Sequence, residues 1–369
     1  MNHFVTSELS TRCAESVAHS RSLDGVFAAD LAERLTAFTL DGGSRIRPRF
    51  LWWAMRACGG TDPEVSAALR LAAALELIQS CALVHDDVMD RSTVRRSRPS
   101  FHAQIELQYF AIAPRPGSGP SSFAQSAAVL AGDLALSWAD DLVAGADLDP
   151  VTRTDVLRIW RNMRTEMIAG QYLDLHGQAT SSRSAARAIR TVCLKTARYT
   201  VEQPVALGAA LARADEATTR ALTAAGRCAG IAFQLRDDLA GAFGDSEVTG
   251  KPVGDDIRAG KATYLLALAH SRARAAGDTY VIDLLSEAGG GSDVSMPVLS
   301  SIREALLSTG AAAQVERRIA RLVSASERHL AAAGLHGPAA QRLSELLAQV
   351  AAPARGSAAV STGCLGGTR

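Results

Sequence analysis

Apolar side chains recur at intervals of three and four residues along almost the whole chain, and this spacing is the period of an α-helix. In residues 65–92, for example, the positions on this spacing include Leu71, Leu75, Ile78 and Ala82. Aromatic residues make up only 5% of the 369 residues, so residue types that favour strands are scarce. The alternation typical of a half-buried strand is nowhere sustained. We therefore predict an all-α fold.

Ten further segments carry the helical period, and breaks rich in Gly, Pro and Ser separate several of them. They are residues 26–40, 123–145, 150–178, 184–213, 215–243, 262–271, 277–287, 297–308, 311–334 and 338–351. Because no linker of contrasting composition divides them, we predict a single domain over residues 1–352. Residues 353–369 are rich in Gly, Ala, Ser and Thr without periodicity, which predicts a flexible C-terminal tail.

The charge balance narrows the classes of function. Lys and Arg number 39 and Asp and Glu 38, so no basic excess exists to bind nucleic acid by counterion release. The six cysteines form no CxxC pairs, and the start of the chain carries no apolar secretion signal. The sequence contains no uncharged stretch of about 18 apolar residues, which is the length that would indicate a membrane span. We expect a cytoplasmic protein that binds no nucleic acid and does not span a membrane.

Three aspartates end the apolar segment at residues 65–92. Asp86, Asp87 and Asp90 lie in the sequence HDDVMD. At about 100° per residue, Asp86 and Asp90 fall within about 40° of each other on one helix face. Carboxylates that end an apolar helix need cations, because an isolated buried charge is very unfavourable. Oxygen ligands at this density suit Mg²⁺, which often bridges to phosphate oxygens. A solvated helix end with unrelated acids is the alternative.

A second apolar segment ends in a similar way. Asp237 and Asp238 lie in the sequence FQLRDDLA, and a segment containing Gly and Lys follows them. If the two acidic helix ends faced each other across a helical bundle, they could share metal ions. The repetition makes a purely structural role for both clusters the weaker interpretation.

Basic side chains occur in the sequence both before and after these two clusters. Three arginines come after two glycines in GGSRIRPR at residues 42–49, and Arg95, Arg96 and Arg98 come just after the first cluster. Three lysines occur later, Lys195, Lys251 and Lys261. Singly, each is most simply a surface cation. Beside an acidic metal cluster, arginines suit bidentate phosphate binding, so together they predict a ligand with several phosphates. No GxxxxGK[ST] loop or GxGxxG after a strand supports a nucleotide.

Taken in order over residues 26–271, these motifs resemble those of the trans-isoprenyl diphosphate synthases, the polyprenyl synthetase family. The matching motifs are GGSRIRP, HDDVMD, RRSRP, Gly-Asp at 132–133, GQYLD at 170–174, Lys-Thr at 195–196, and FQLRDDLAGAFGD with its TGKP and GK sequel. The resemblance implies a homodimeric antiparallel helical bundle around a central cavity, of the isoprenoid synthase type. It also implies a Mg²⁺-dependent reaction, with two to three ions per active site, that joins isopentenyl diphosphate to dimethylallyl, geranyl or farnesyl diphosphate.

The resemblance also assigns roles position by position. The implied metal ligands are Asp86, Asp90 and Asp237, with Asp87 and Asp238 in support. The implied allylic diphosphate ligands are Arg95, Lys195, Lys251 and Lys261, and those of isopentenyl diphosphate are Arg47, Arg96 and Gln79. In the implied reaction the allylic diphosphate loses pyrophosphate and leaves a carbocation. Thr196 and Gln234 would stabilise this carbocation through their dipoles. Ser44 stands where the family usually has Lys, and either Arg45 or Arg49 would compensate for it.

Two alternatives of another class stay open. Ser44 and Gly241 depart from the family pattern, Gly241 standing where the second aspartate motif ends in Asp, so a non-catalytic partner subunit of a heteromeric synthase is one alternative. A class I terpene cyclase is the other, because it shares the fold and the first acidic cluster.

The helix before the first aspartates is expected to line the tunnel in which the product grows. In the family, the fourth and fifth residues before the motif often set where growth stops, and here Ala82 and Cys81 are both small. Ile78 lies about 12 Å and Leu75 about 16 Å below Asp86 along the helix. One isoprene unit spans roughly 5 Å of this rise, so a floor at either residue predicts the twenty-carbon geranylgeranyl diphosphate. Farnesyl and geranylfarnesyl diphosphates are the alternatives.

Overall fold

The structure, a computed structural model, describes residues 1–110, 122–244, 254–258, 260–287 and 294–352. Almost all of these residues are helical, which confirms the predicted all-α fold. In the first half of the chain the helices are α1 (Asn2–Leu23), α2 (Gly25–Phe27), α3 (Arg34–Leu40), α4 (Ile46–Ala57), α5 (Val65–Met89), α6 (Phe101–Phe110), α7 (Ser122–Ala144) and α8 (Pro150–Ala179). In the second half they are α9 (Ala185–Thr191), α10 (Gln203–Leu211), α11 (Glu216–Phe243), α12 (Asp255–Arg258), α13 (Tyr264–Ala276), α14 (Thr279–Glu287), α15 (Met296–Ser308), α16 (Ala311–Ala332) and α17 (Pro338–Ala351).

A few short elements are not α-helical. A 3-10 turn covers Asp62–Glu64, and π-helical segments cover Ala28–Glu33 and Val192–Glu202. Strands β1 (Val94–Arg95) and β2 (Arg98–Pro99) form an antiparallel hairpin. The segment predicted to be helical over residues 184–213 is helical without a break from Ala185 to Leu211, and its middle part is the second π-helical segment. Segments of this kind are frequent at functional sites.

Helices α1, α4 and α6 and the short α12 are missing from the predicted set. In α1 the buried apolar residues are Val5, Leu9, Cys13 and Val17, a stripe of one residue per turn. Such a narrow stripe between Ser, Thr and charged residues gives little periodic signal, so sequence reasoning passes over it.

The described helices form two compact units. The first comprises Met1–Met163, Thr200–Thr223 and Leu330–Leu346. Its central helix, α5, packs most extensively against α7 and also against α1 and α4. Every side chain from residue 71 to residue 78 is buried, so the helix that ends in the first aspartate cluster runs through the core of this unit.

Helix α5 also meets the length and hydropathy criteria of a membrane span. Asp62–Met89 contains a window of mean hydropathy 1.6, and 72% of that window is buried inside the protein. A helix that is apolar on all sides is expected in the core of a large protein as well as in a membrane, and this burial accounts for the composition of α5.

The second unit comprises Arg164–Tyr199 and the described parts of residues 224–329 and 347–352. Its core is rich in Ala and Leu and is built around α13, which packs against α9, α14 and α15. The single domain over residues 1–352 stays a prediction, and the tail predicted at residues 353–369 lies outside the described residues. Cys13, Cys58 and Cys81 are free thiols.

Candidate active site

The first carboxylate cluster lies at the C-terminal end of α5, in the first unit. Asp86 and Asp87 occupy the last turn, and the backbone N–H of Asp90 donates to the carbonyl of Asp86. A helix C-terminus carries partial negative charge, so three carboxylates there require a cation. Asp87 is fully buried, and this burial raises the pKa of its carboxyl to about 6.

Arg95 supplies one cation to this cluster. Its Nε donates to Oδ1 of Asp87 at 2.8 Å, and its Nη2 donates to Oδ2 of Asp86 at 3.3 Å. The second oxygen of Asp87, Oδ2, is buried and has no hydrogen-bond partner. A buried carboxylate oxygen is unfavourable unless a donor or a cation satisfies it. The cluster therefore fits a metal ion better than a closed network of ion pairs.

A β-hairpin that the sequence did not predict positions this arginine. Arg95 on β1 pairs with Arg98 on β2, and the two turn residues, Arg96 and Ser97, have φ of 52° and 59°. Positive φ at both turn residues is the conformation of tight two-residue hairpins. It is uncommon for residues other than glycine, and such strain concentrates at functional sites.

The glycine pair of the first motif makes room for Arg96. A Cβ on Gly43 would lie 3.0 Å from Nη2 of Arg96, and one on Gly42 would lie 3.7 Å from its Nη1. The φ angles of Gly42 and Gly43 are 143° and 101°, which side chains with a Cβ rarely adopt. Glycine is thus needed here for its backbone conformation, and at Gly43 for space as well.

Several arginines concentrate positive charge around this cradle. The pKa of Arg96 lies below its ordinary value, mainly because the guanidinium is partly buried. The negative charge of Glu76 acts in the opposite direction. Three nearby positive charges, those of Arg45, Arg95 and Arg47, lower the pKa further. Guanidinium groups gathered in this way attract an anion.

Arg45 differs from the others because it is buried inside the first unit. It forms an ion pair with the buried Glu76, and its Nη2 donates to the carbonyls of Thr39 at 2.9 Å and Leu40 at 3.1 Å. These bonds use the donors that a diphosphate would need. The placement therefore argues against the predicted substrate-binding role of Arg45 and assigns it to holding α4 beside α5.

Arg47 and Gln79 are both half-buried in the same unit. Nη2 of Arg47 donates to Oγ1 of Thr200 at 2.9 Å, and Oε1 of Gln79 is buried without a hydrogen-bond partner. Both side chains thus combine burial with polar groups that suit ligand binding.

The Gly-Asp motif at residues 132–133 lies where α7 crosses α5. A Cβ on Gly132 would overlap the imidazole of His85. Nε2 of His85 lies 3.0 Å from the carbonyl oxygen of Val129 and 3.7 Å from Oδ1 of Asp133. The two helices approach this closely at His85, one residue before Asp86. The contact therefore fixes the position of the first cluster, at the end of α5, along the neighbouring helix α7.

The second carboxylate cluster lies on α11, in the second unit. Asp238 is 6% exposed, its Oδ1 accepts a hydrogen bond from Nε2 of Gln234 at 2.9 Å, and its Oδ2 is buried without a partner. Burial is the main reason that the pKa of Asp238 rises to about 8. The hydrogen bond from Gln234 opposes this shift, and the neighbouring charges of Asp256, Asp237 and Asp174 add to it.

Lys195 and Thr196 lie on the second π-helical segment, close to α8 and α11. A Cβ on Gly170 would lie 2.7 Å from Cα of Lys195, so the GQYLD motif allows the two backbones to touch. Nζ of Lys195 donates to Oδ2 of Asp174 at 2.7 Å. Oγ1 of Thr196 donates to Oε1 of Gln234 at 2.8 Å, which extends the hydrogen-bond chain to Asp238.

The structure thus groups the predicted residues within each unit. In the first, Asp86, Asp87 and Arg95 are in contact. In the second, one chain of hydrogen bonds joins Thr196, Gln234 and Asp238, with Asp237 beside it. Lys251 lies outside the described residues. Within the described ranges, no three His, Cys, Asp or Glu side chains form a metal site by themselves. A bound ion would need further oxygen ligands, as Mg²⁺ obtains from water and phosphate.

Sequence reasoning missed three acidic residues that pair with predicted basic ones. Glu76 pairs with Arg45, Asp174 pairs with Lys195, and Asp256 lies 3.5 Å from Nζ of Lys261. Asp174 belongs to the GQYLD motif, so this motif was the signal that could have identified it. For Glu76, a single charge inside a long apolar run was the available signal.

The all-α fold matches that of solved isoprenoid synthases. The sequence profile of the polyprenyl synthetase family matches residues 29–295, and the chain belongs to this family. It is therefore a prenyltransferase of the trans-prenyl diphosphate synthase type, and the resemblance recognised from its motifs is confirmed.

Three similar proteins show how the family divides. The chain is 32% identical to the geranylfarnesyl diphosphate synthase of Aeropyrum pernix over 247 residues, 66% of this chain and 70% of that protein. It is 33% identical to the farnesyl diphosphate synthase of Geobacillus stearothermophilus over 281 residues, 71% and 84% of the two chains. The crystal structure of geranylgeranyl pyrophosphate synthase from Corynebacterium glutamicum, complexed with isoprenyl diphosphate and magnesium, gives a TM-score of 0.87 and 36% identity. The match covers 94% of this chain and 97% of that one. The three names differ in product length.

Proposed function

We propose that this protein is a Mg²⁺-dependent synthase that condenses isopentenyl diphosphate with an allylic diphosphate and releases mainly geranylgeranyl diphosphate. One observation carries the proposal. Each carboxylate cluster keeps a buried oxygen without a hydrogen-bond partner, Oδ2 of Asp87 in the first and Oδ2 of Asp238 in the second. A hard divalent cation is the ligand that satisfies such oxygens. The similar structure from Corynebacterium glutamicum holds magnesium and an isoprenyl diphosphate.

Both carboxylate clusters take part in metal binding in this proposal. Asp86, Asp90 and Asp237 would hold two to three Mg²⁺ ions, and Asp87 and Asp238 would support them. When bound, Mg²⁺ would neutralise the negative charge that develops on the departing pyrophosphate.

Three basic residues would bind the allylic diphosphate. Arg95 is held at the first cluster by Asp87 and Asp86, Lys195 by Asp174, and Lys261 lies beside Asp256. Because acidic neighbours hold these cations in place, little side-chain entropy is lost when a diphosphate binds. Lys251 is proposed for the same role on the family pattern alone.

Thr196 and Gln234 would stabilise the allylic carbocation that forms when pyrophosphate leaves. The chain of hydrogen bonds from Thr196 through Gln234 to Asp238 fixes the orientation of both dipoles. Dipoles oriented in advance stabilise a developing charge without a reorganisation cost at the moment of reaction. After the new carbon–carbon bond forms, the released pyrophosphate would accept the proton, so no protein base is required.

Isopentenyl diphosphate would bind to Arg47, Arg96 and Gln79. Arg96 sits in the cradle of two glycines, and the arginines around it raise the local positive potential. Because Ser44 removes one cation from this site, a raised KM for isopentenyl diphosphate is expected.

The proposed product length rests on α5. Cys81, Ile78 and Leu75 are buried there, at 3%, 0% and 0% exposure, and Ala82 is small. A chain that grows along this helix would first meet a large side chain at Ile78 or Leu75. This supports a product of about twenty carbons, since about 12–16 Å of helix separates these residues from Asp86. The homodimer and the cytoplasmic location stay predictions.

Product analysis tests the proposal. The purified protein is incubated with Mg²⁺, isopentenyl diphosphate and dimethylallyl, geranyl or farnesyl diphosphate. We expect a dominant twenty-carbon diphosphate that is lost in Asp86→Ala and kept in Asp155→Ala, where an exposed ion pair on α8 is removed instead. A fifteen- or twenty-five-carbon product would overturn the floor at Ile78 or Leu75. No elongation from any primer would indicate a non-catalytic subunit, and a cyclic hydrocarbon would indicate a cyclase.

A further inference from the structure

Position 241 on α11 lacks the carboxylate that ends the second aspartate motif of the family. The side chain that takes up the space there belongs to Asp256 on α12. A Cβ on Gly241 would lie 2.7 Å from Oδ2 of Asp256, closer than such atoms approach in proteins. Asp256 therefore brings a carboxylate oxygen to the place that a side chain at position 241 would fill.

The contact places Asp256 beside the second cluster. Position 241 lies four residues after Asp237 and three after Asp238 on α11, spacings that bring side chains together on one helix face. Asp238 is 6% exposed, and its Oδ2 is buried without a hydrogen-bond partner. The side chain of Asp256 is itself 17% exposed, with Nζ of Lys261 3.5 Å from its Oδ1. Neighbouring carboxylates repel each other, and a cation among them relieves the repulsion.

From this geometry we propose that Asp256 replaces the missing carboxylate at position 241 and takes part, with Asp237 and Asp238, in binding the divalent cation. Oxygens of water and diphosphate would supply further ligands, because no three carboxylates of the described residues form a metal site by themselves. This inference rests on the proposed function, because it assumes that the second cluster binds Mg²⁺. It gives Asp256 a second task, since the same carboxylate holds Lys261, a proposed ligand of the allylic diphosphate. The side chain of Asp256 would then contact both the metal ion and the ammonium group of Lys261, and both of these would bind the same diphosphate.

Metal binding without turnover tests the inference. Mg²⁺ is titrated into the full chain in the presence of inorganic pyrophosphate, and the affinity is measured by calorimetry. We expect Asp256→Asn, which keeps the size of the side chain, to weaken Mg²⁺ binding about 10-fold or more. Asp237→Asn should weaken it as well, and Asp283→Asn, an exposed aspartate on α14, should leave it unchanged.

The outcomes separate the inference from the proposed function. If Asp237→Asn loses Mg²⁺ affinity and Asp256→Asn keeps it, the inference is wrong and the proposed metal site stands; Asp256 then serves only to orient Lys261. If the unaltered chain binds no Mg²⁺ with pyrophosphate, the proposed function fails and the inference fails with it.

A carboxylate exchange gives a second, independent test. Gly241→Asp alone should lower the melting temperature, because its side chain meets Asp256 and adds a like charge. Combined with Asp256→Ala, which removes that contact, Gly241→Asp should recover most of the Mg²⁺ affinity that Asp256→Ala loses. A double variant that folds, by circular dichroism, and binds Mg²⁺ no better than Asp256→Ala would overturn the inference.

Discussion

Gly170 on α8 touches the backbone of Lys195, so closely that a Cβ on Gly170 would lie 2.7 Å from Cα of Lys195. Asp174, one turn further along α8, accepts a hydrogen bond from the ammonium group of the same lysine. One turn of helix thus holds the backbone of Lys195 through a glycine and its side chain through a carboxylate. This explains why the two residues occur together in the GQYLD motif.

We expect Gly170→Ala to reduce stability and activity together. The added methyl group meets backbone atoms, which cannot move aside as a flexible side chain can. Overpacking of this kind costs about 1–3 kcal/mol, and the helix propensity of Ala returns about 1 kcal/mol of it. Displacement of Lys195 should also raise KM for the allylic diphosphate. Urea unfolding and steady-state kinetics measure the two effects.

Gly177→Ala on the same helix is the matched control. A Cβ on Gly177 would lie 3.5 Å from Cβ of Ala262, an ordinary contact. This substitution should therefore stabilise the protein by up to about 1 kcal/mol and leave KM unchanged. Equal responses at the two glycines would show that the contact with Lys195 is not what requires Gly170.

A second prediction concerns the buried pair of Arg45 and Glu76. Arg45→Met leaves the carboxylate of Glu76 buried without its partner, which should cost about 3–5 kcal/mol of unfolding free energy. The double variant Arg45→Met with Glu76→Met should recover most of this loss, because no charge then remains buried. Its KM for isopentenyl diphosphate should rise far less than that of Arg96→Ala.

The exposed pair of Arg220 and Glu216, with side chains 70% and 83% exposed, provides the comparison. Arg220→Met should change stability by less than about 0.5 kcal/mol. If Arg45→Met cost as little, or if the double variant lost isopentenyl diphosphate binding as fully as Arg96→Ala does, the role of Arg45 would be substrate binding after all.

Arg45 also shows where prediction from the sequence ends. The motif GGSRIRPR gave a group of arginines near a diphosphate, and nothing in it said which guanidinium turns inward. That depends on Glu76, a residue far away in the sequence that becomes a neighbour only when α4 packs against α5. The aspartate clusters were predictable because each follows an apolar stretch of helix, where a carboxylate is conspicuous. The expectation that Asp237 and Asp238 end their helix is wrong, since α11 continues to Phe243.

The hairpin of β1 and β2 and the pairing of Gly241 with Asp256 were not predictable for the same reason. The turn residues Arg96 and Ser97 are not among the Asn-Gly or Asp-Gly pairs that announce a tight hairpin. Asp256 comes next to Gly241 only in the folded chain. Both features depend on tertiary contacts, which single-sequence patterns of period and composition do not contain.

A third prediction separates backbone strain from contact at Gly43. Both Gly43 and Gly59 have positive φ, 101° and 88°, so Ala at either position should cost about 1–2 kcal/mol in backbone strain. Only at Gly43 would the new methyl group meet a side chain, that of Arg96; at Gly59 nothing lies within 4 Å. Gly43→Ala should therefore also raise KM for isopentenyl diphosphate, and Gly59→Ala should not. Similar KM values for the two variants would contradict the cradle around Arg96.

The fourth prediction concerns product length along α5. Ala82 lies one turn below Asp86, so Ala82→Phe should place an aromatic ring across the growing chain and shift the main product to fifteen carbons. Ile78 lies one turn further down, and Ile78→Ala should open the floor and lengthen the product, at a cost of about 2–5 kcal/mol in stability. Chromatography of the dephosphorylated products measures both shifts, and a melting curve confirms that Ile78→Ala is folded.

Leu83→Phe is the control for this pair, because residue 83 lies about 100° around the helix from Ala82. It places the same ring on a different face, at a position that is only half-buried, so the product should keep its length. If Leu83→Phe shortened the product as much as Ala82→Phe, the effect would come from general disturbance of α5. If Ile78→Ala instead left a twenty-carbon product, Leu75 would be the residue that stops growth, and Leu75→Ala should then produce the longer chain.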